Sequence, residues 1–198
     1  MQKTDLMKQI RDELLAGTHL PLYSYRKANN YFPVIGEGSH DAKIMFVGEA
    51  PGENEAKTGK PFCGRSGKVL DDLLAHIGIP RSEVYVTNIV KDRPQANRDP
   101  KPEEIDIYAP FLDRQIEIIK PRVIATLGRF SMVYVMTRLG LEDILKPISV
   151  MHGGLFEAKT EWGRVKIAPL YHPAVAVYNA GMLGELKKDF EIINKAVS

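Results

Sequence analysis

Apolar residues recur along this chain in two rhythms. Between residues 3 and 15, Leu6, Ile10, Leu14 and Leu15 fall on one face at helical spacing. From Thr18 to Asp41 the period is lost. That stretch is polar and aromatic, and residues 1–40 read as a helix with a loop-rich extension. Ile44-Met45-Phe46-Val47 is then a short unbroken apolar run, the signature of a buried strand. Val69, Leu70, Leu73, Leu74 and Ile77 predict a helix that starts near Ser66 and stops at Gly78, with Pro80 beyond. Val84–Thr87 predicts a second strand. After a proline-bearing loop, Pro102 opens a helix whose inward positions are Ile105, Tyr108, Phe111, Leu112, Ile116 and Ile119. Proline suits the first turn, where no intrahelical N–H bond is lost, and Glu103 and Glu104 complement the positive end of the helix dipole. Val123–Leu127 is a third strand, and Gly128 opens a helix to about Leu139. Leu155–Ala158 and Val165–Leu170, flanking Glu161-Trp162-Gly163, read as a hairpin or late strands, and a last helix covers Leu183–Ala196.

Strands that alternate with helices imply a parallel sheet with right-handed crossovers, an α/β fold. In such sheets ligands gather beyond the carboxyl ends of the strands. Gly48, Asn88, Gly128 and His172 each follow a predicted strand, so one site is expected to collect them.

Bulk properties narrow the picture. The chain has 198 residues, 44% of them hydrophobic, enough for one domain over 1–198 with a substantial core. Its formal net charge is only +2, so an anionic partner must meet a local patch rather than a global field. The loop Lys91–Lys101 carries four basic and two acidic residues on the same rim as Asn88, either as a solvated connection or as a phosphate contact. No apolar run approaches the ~18 residues of a membrane span. The N-terminus is amphipathic and lacks the apolar core of a signal peptide, so a soluble, cytoplasmic monomer is expected. One cysteine, Cys63, excludes an intrachain disulfide framework and an all-cysteine metal site.

The candidate site residues have both bland and functional roles available. Gly48-Glu49-Ala50-Pro51-Gly52 is either a tight strand exit or a turn whose glycines let backbone N–H groups approach a flat ligand. Phe62 is either core or a stacking surface, and it lies outside any periodic segment. Asn88 either caps a turn or faces a pocket. In the second case its amide offers one donor and one acceptor, the complement of the N3–H and O4 edge of uracil. Cytosine is rejected only if neighbours hold that amide in place. His172, wedged before Pro173, has few orientations and is placed to donate to a ligand oxygen. No G-x-G-x-x-G follows the first strand, which weighs against a Rossmann nucleotide module.

Several blocks in order resemble the family 4 uracil-DNA glycosylases. They are Val34–Gly38, Phe46–Gly52 with Glu55, Thr58–Phe62, Thr87–Lys91, Arg93-Pro94, Asn97–Pro100 and Pro169–Ala174. The resemblance implies a three-layer α/β/α fold with a central, mainly parallel four-stranded sheet. It implies an enzyme that flips uracil out of single- or double-stranded DNA and hydrolyses its N-glycosidic bond to leave an abasic site. By similarity His172 donates to uracil O2, Asn88 reads the N3/O4 edge, and Phe62 stacks on the ring. Gly48 and Ala50 hold the base, and Glu49 orients water or favours the cationic sugar. Arg93, Arg98 and His152 would contact phosphate, and Ala174, Val175 and Tyr178 would enter the minor groove. The alternatives are a glycosylase for another deaminated base, such as hypoxanthine or xanthine, and a catalytically silent nucleic-acid binder.

The chain departs from the family in two places. Family members usually carry a [4Fe–4S] cluster on four cysteines. Here Gly17, Leu20, Asp92 and Tyr108 stand at those positions, so no cluster is expected. A Tyr108–Asp92 hydrogen bond is the expected replacement, and a substitute metal site through His19 and Asp92 is the alternative. In Met151-His152-Gly153, His152 occupies a position where the family often has arginine, as a pH-sensitive phosphate contact or a surface turn residue.

Overall fold

In the computed structural model, which describes residues 2–197, the apolar runs form a six-stranded sheet. The strands are β1 (Glu37–Gly38), β2 (Ile44–Gly48), β3 (Tyr85–Asn88), β4 (Val123–Leu127), β5 (Phe156–Thr160) and β6 (Gly163–Leu170), in the spatial order β1-β3-β2-β4-β6-β5. The inner four are mutually parallel, in register from Met45↔Tyr85 through Met45↔Ile124 to Ile124↔Ile167. The expected four-stranded parallel array is therefore the sheet's centre. It gains two antiparallel edges, β1 on β3 and the hairpin partner β5 on β6. With only two residues, β1 is too short to leave a periodic trace in sequence.

The helices are α1 (Lys3–Ala16), α2 (Tyr23–Ala28), α3 (Glu53–Thr58), α4 (Arg65–His76), α5 (Pro102–Ile119), α6 (Arg129–Arg138), α7 (Ile148–Met151), α8 (Ala174–Tyr178) and α9 (Leu183–Val197). Successive side chains of a strand point to opposite faces, and β2 shows what this does. Met45 and Val47 join Ile10, Leu14, Leu112, Ile116 and Met136 from α1, α5 and α6. Ile44 and Phe46 join Leu70, Leu73, Leu74, Phe190 and Ile193 from α4 and α9. Phe46 stacks on Phe190 with ring centroids 5.8 Å apart. Helices cover both faces, giving three layers. None of the described helices is long and apolar enough to cross a membrane.

The topology places the site. From β2 the chain crosses to β3 on one side, then back over β2 to β4 on the other. This reversal opens a crevice at the carboxyl end of β2, where Gly48 lies. The extension over 18–41 is more ordered than its composition implies. Helix α2, with the sequence YSYRKA, forms there without an apolar stripe, because its buried residue is a charged one, Arg26.

Candidate active site

A cavity of about 480 Å3 opens at the carboxyl ends of β2 and β3. Glu49, Ala50, Phe62, Asn88 and His172 line it, with Arg98, Ala174 and Tyr178 at its edge. Gly48 lies beneath. A Cβ there would sit 2.3 Å from Asn88 Oδ1 and 2.8 Å from the tip of the Phe62 ring, so only glycine lets those two side chains close over the strand end.

Phe62 is held by force. Its φ of +49° is a left-handed conformation that a bulky residue rarely adopts. Glu55 Oε1 accepts from the N–H groups of Cys63 and Gly64 at 2.9 and 2.8 Å, and Arg81 donates to the Pro61 carbonyl at 2.7 Å. Gly67 leaves room for the Phe62 carbonyl, which would lie 1.8 Å from any Cβ at that position. Strain of this kind persists only where the surroundings over-determine it, and it clusters at ligand sites. The ring then lies 5.6 Å from the His172 imidazole, at 30° to it.

His172 Nδ1 accepts the Ala174 N–H at 3.1 Å. In the neutral ring the proton is therefore on Nε2, leaving that atom free to donate. Burial draws the imidazole's pKa down to about 4, against the opposing charge of Glu55. His172 is thus uncharged at neutral pH. Asn88 is 2% exposed, and its Oδ1 is buried without a hydrogen-bond partner, a condition rare in folded proteins and one that invites a donor. Glu49 is the converse of His172. Burial, with some repulsion from Asp99 and against the pull of Arg129, raises its carboxyl to about 7.

The remaining sequence candidates are less central. Arg93 donates to Asn97 Oδ1 at 2.8 Å, to the Tyr31 hydroxyl at 2.7 Å and to Glu53 at 3.3 Å. Arg98 forms a two-pronged pair with Glu104 at 2.8 and 2.5 Å. Lys91 is fully buried, Arg93 is turned onto Glu53 and Arg98 onto Glu104, so the loop does not present the solvated +2 patch that its composition implies. Val175 lies on α8 but does not line the cavity, whereas Tyr178 stands 83% exposed at its mouth. His152 is outside the cavity. It bonds to Asp189 at 2.7 Å, lies 3.6 Å from Glu185, and stacks 4.2 Å from Tyr171, the residue before His172. It is therefore a built-in packing partner of the His172 turn rather than a loose surface residue.

Glu55, which holds the Phe62 turn, carries no mark of that contact in the sequence. It stands in a recognised block, but its bond to a backbone eight residues away has no local pattern. Arg65 and Ser66, at the start of α4, also line the mouth.

The four positions where cysteines would be expected do not fit a cluster. Leu20 packs against Gly17 so closely that a Cβ on Gly17 would lie 2.7 Å from its Cδ1. The Tyr108 hydroxyl donates to Asp92 Oδ2 at 2.6 Å, the expected bond. Arg26 completes the arrangement from α2, reaching both Asp92 oxygens at 3.1 and 3.2 Å and the Leu14 carbonyl at 3.0 Å. Burial pushes the Asp92 carboxyl up, while Tyr108 and Arg26 pull against it. His19 is exposed, and among the described residues no group of three or more His, Cys, Asp or Glu side chains is placed to hold a metal.

Taken together, the pocket offers an apolar ring surface, an amide edge, a neutral imidazole N–H and a carboxylate that titrates near neutrality. Such a slot accepts a planar heterocycle by its hydrogen-bonding edge and stabilises negative charge on one of its oxygens. The model for the family described as uracil DNA glycosylase superfamily matches residues 35–197. The chain is 41% identical over 192 residues to a protein of Sulfurisphaera tokodaii named type-4 uracil-DNA glycosylase, covering 96% of this chain and 84% of that one. Proteins of the same name are similar in Archaeoglobus fulgidus, at 42% identity over 86% of this chain and 84% of the relative, and in Thermotoga maritima, at 38% over 99% and 95%.

Proposed function

The chain belongs to the uracil DNA glycosylase superfamily, and from that premise we propose that it is a monofunctional, type 4-like uracil-DNA glycosylase. The observation that carries this reading is the unpartnered, buried Oδ1 of Asn88, set beside Phe62 and His172 in one pocket.

The C1′–N1 bond is inaccessible inside a duplex, so the nucleotide must leave the stack before it reacts. The extruded uracil stacks on Phe62. Asn88 accepts N3–H and donates to O4, an edge that cytosine does not match while the amide keeps this orientation. As the bond breaks, negative charge grows on O2, and His172 Nε2–H is already in place to receive it. A preplaced donor of this kind is usually the largest catalytic term, because nothing reorganises at the moment of reaction. A neutral imidazole suits the task, since it donates without first having to lose or gain a proton. Glu49, when ionised, faces the cation-like sugar and the attacking water.

That last role has a pH signature. Single-turnover excision is expected to rise with pH roughly from 5.5 to 8 as Glu49 ionises around its pKa of about 7. Glu49→Gln is expected to be slower and to lose this rise. Stability should move the other way. A carboxyl whose folded pKa is raised favours folding at low pH, and that benefit is lost as pH climbs through about 7. Glu49→Gln should therefore melt higher than the wild type above pH 7 and match it near pH 4.5. Parallel melting curves at both pH values would discard this assignment.

We read the enzyme as independent of an iron–sulfur centre, a reading supported by the donor chemistry at Asp92 and Tyr108. Purified protein incubated with DNA bearing one uracil should yield an alkali-labile site, with no iron–sulfur band in its visible spectrum. Tight binding without an abasic product, or faster release of hypoxanthine than of uracil, would replace the proposed activity by one of its alternatives.

A further inference from the structure

Three residues beyond Asn88, Lys91 is entirely buried. Its Nζ lies 2.8 Å from Thr87 Oγ1, 2.6 Å from the Asn88 carbonyl and 2.7 Å from Gln115 Oε1. All three oxygens are acceptors there. The Thr87 hydroxyl has two acceptors of its own, the Ile35 carbonyl at 2.8 Å and Gln115 Oε1 at 3.2 Å, to take its hydrogen. Gln115 turns its amide nitrogen to Ile35 O at 2.8 Å and to the Tyr85 hydroxyl at 3.2 Å, which fixes Oε1 towards the lysine. A neutral amine has two hydrogens and a lone pair, and the lone pair would face an oxygen. Three acceptors call for three N–H donors, the ammonium form. Burial pulls the lysine's pKa well down. Among the described residues no acidic side chain pairs with Lys91, so its charge is not cancelled locally.

A buried, unpaired cation is costly to keep, which makes its position informative. It grips the peptide of the residue that lines the base pocket, at the end of the strand next to Gly48. Resting on the glycosylase reading, we propose that Lys91 is a positioning residue for excision: its ammonium fixes the Asn88 peptide and sets an uncancelled positive charge behind the departing base. A unit charge roughly 8 Å from a developing one, at an effective dielectric of about 20, changes a rate by roughly thirtyfold.

The test separates charge from mere packing by varying the leaving group. Fluorine on C5 withdraws electrons, so the 5-fluorouracil anion is more stable on its own and needs less help to depart. Lys91→Met is expected to slow single-turnover release of uracil by roughly 30-fold and of 5-fluorouracil by less than about 3-fold. Gln115→Glu keeps the lysine and an acceptor in place but cancels the charge, and should show the same asymmetry if Lys91→Met does not fold. The 15N resonance of Lys91 Nζ in the wild type should be that of an ammonium at pH 7. Equal losses on the two bases, no loss, or an amine resonance would each overturn the role. A wild type that releases neither base while keeping the ammonium signal would instead refute the glycosylase reading, and this role with it.

Discussion

Replacing His172 with alanine is expected to slow uracil excision by roughly 10²–10³-fold in single turnover, the usual loss for one preplaced donor to a growing negative charge. The protonation state of the ring matters here as much as its position. With Nδ1 engaged by the Ala174 N–H and the ring's pKa drawn down to about 4, the imidazole presents Nε2–H throughout the working pH range. The fold-loss should therefore be the same at pH 6 and pH 8, because the only limb expected in that range comes from Glu49, which both proteins carry. Binding of uracil-containing DNA should weaken far less than turnover, because the charge that His172 meets exists only as the bond breaks. Unchanged kinetics would remove His172 from the mechanism.

The second large effect concerns stability. Asp92→Ala should lower the free energy of unfolding by about 3–5 kcal/mol, the cost of leaving a buried charge without its partner. Arg26 would keep only backbone carbonyls, and Tyr108 would lose its acceptor. For a chain of this size that corresponds to a fall of roughly 10 °C in the melting midpoint. Tyr108→Phe, which deletes one hydrogen bond and leaves the ion pair, should cost only about 1–2 kcal/mol. Thermal melts of the two variants check the ordering. A mild Asp92→Ala would mean that the network is not what joins α2, the loop after β3 and α5.

The two kinds of signal in the sequence were not equally readable. β2 is a continuous apolar run, β4 is one but for Thr126, and β3 opens on Tyr85-Val86, because both faces of a parallel sheet are covered, and α4, α5 and α9 show their inward positions for the same reason. Asn88 and His172 are legible as residues placed just past such runs. The elements that escape are those stabilised by polar contacts. α2 and α3 each bury a single residue, Arg26 and Ala56, and leave no stripe. The burial of Arg26 and Lys91 has no mark in the sequence, since residue type alone does not reveal that their partners come from distant segments. The Asp92–Tyr108 contact was an exception. Two polar residues standing where the resemblance implies thiolates made it inferable, whereas the arginine that completes it had no such marker.

The joint among Arg26, Asp92 and Tyr108 is built wholly from atoms that translation supplies. It assembles as the chain collapses, with no iron, no sulfide and no delivery machinery. Its guanidinium, carboxylate and phenol include no thiolate for an oxidant to attack. Melting midpoints measured with and without peroxide are expected to coincide if this joint alone fastens the three segments.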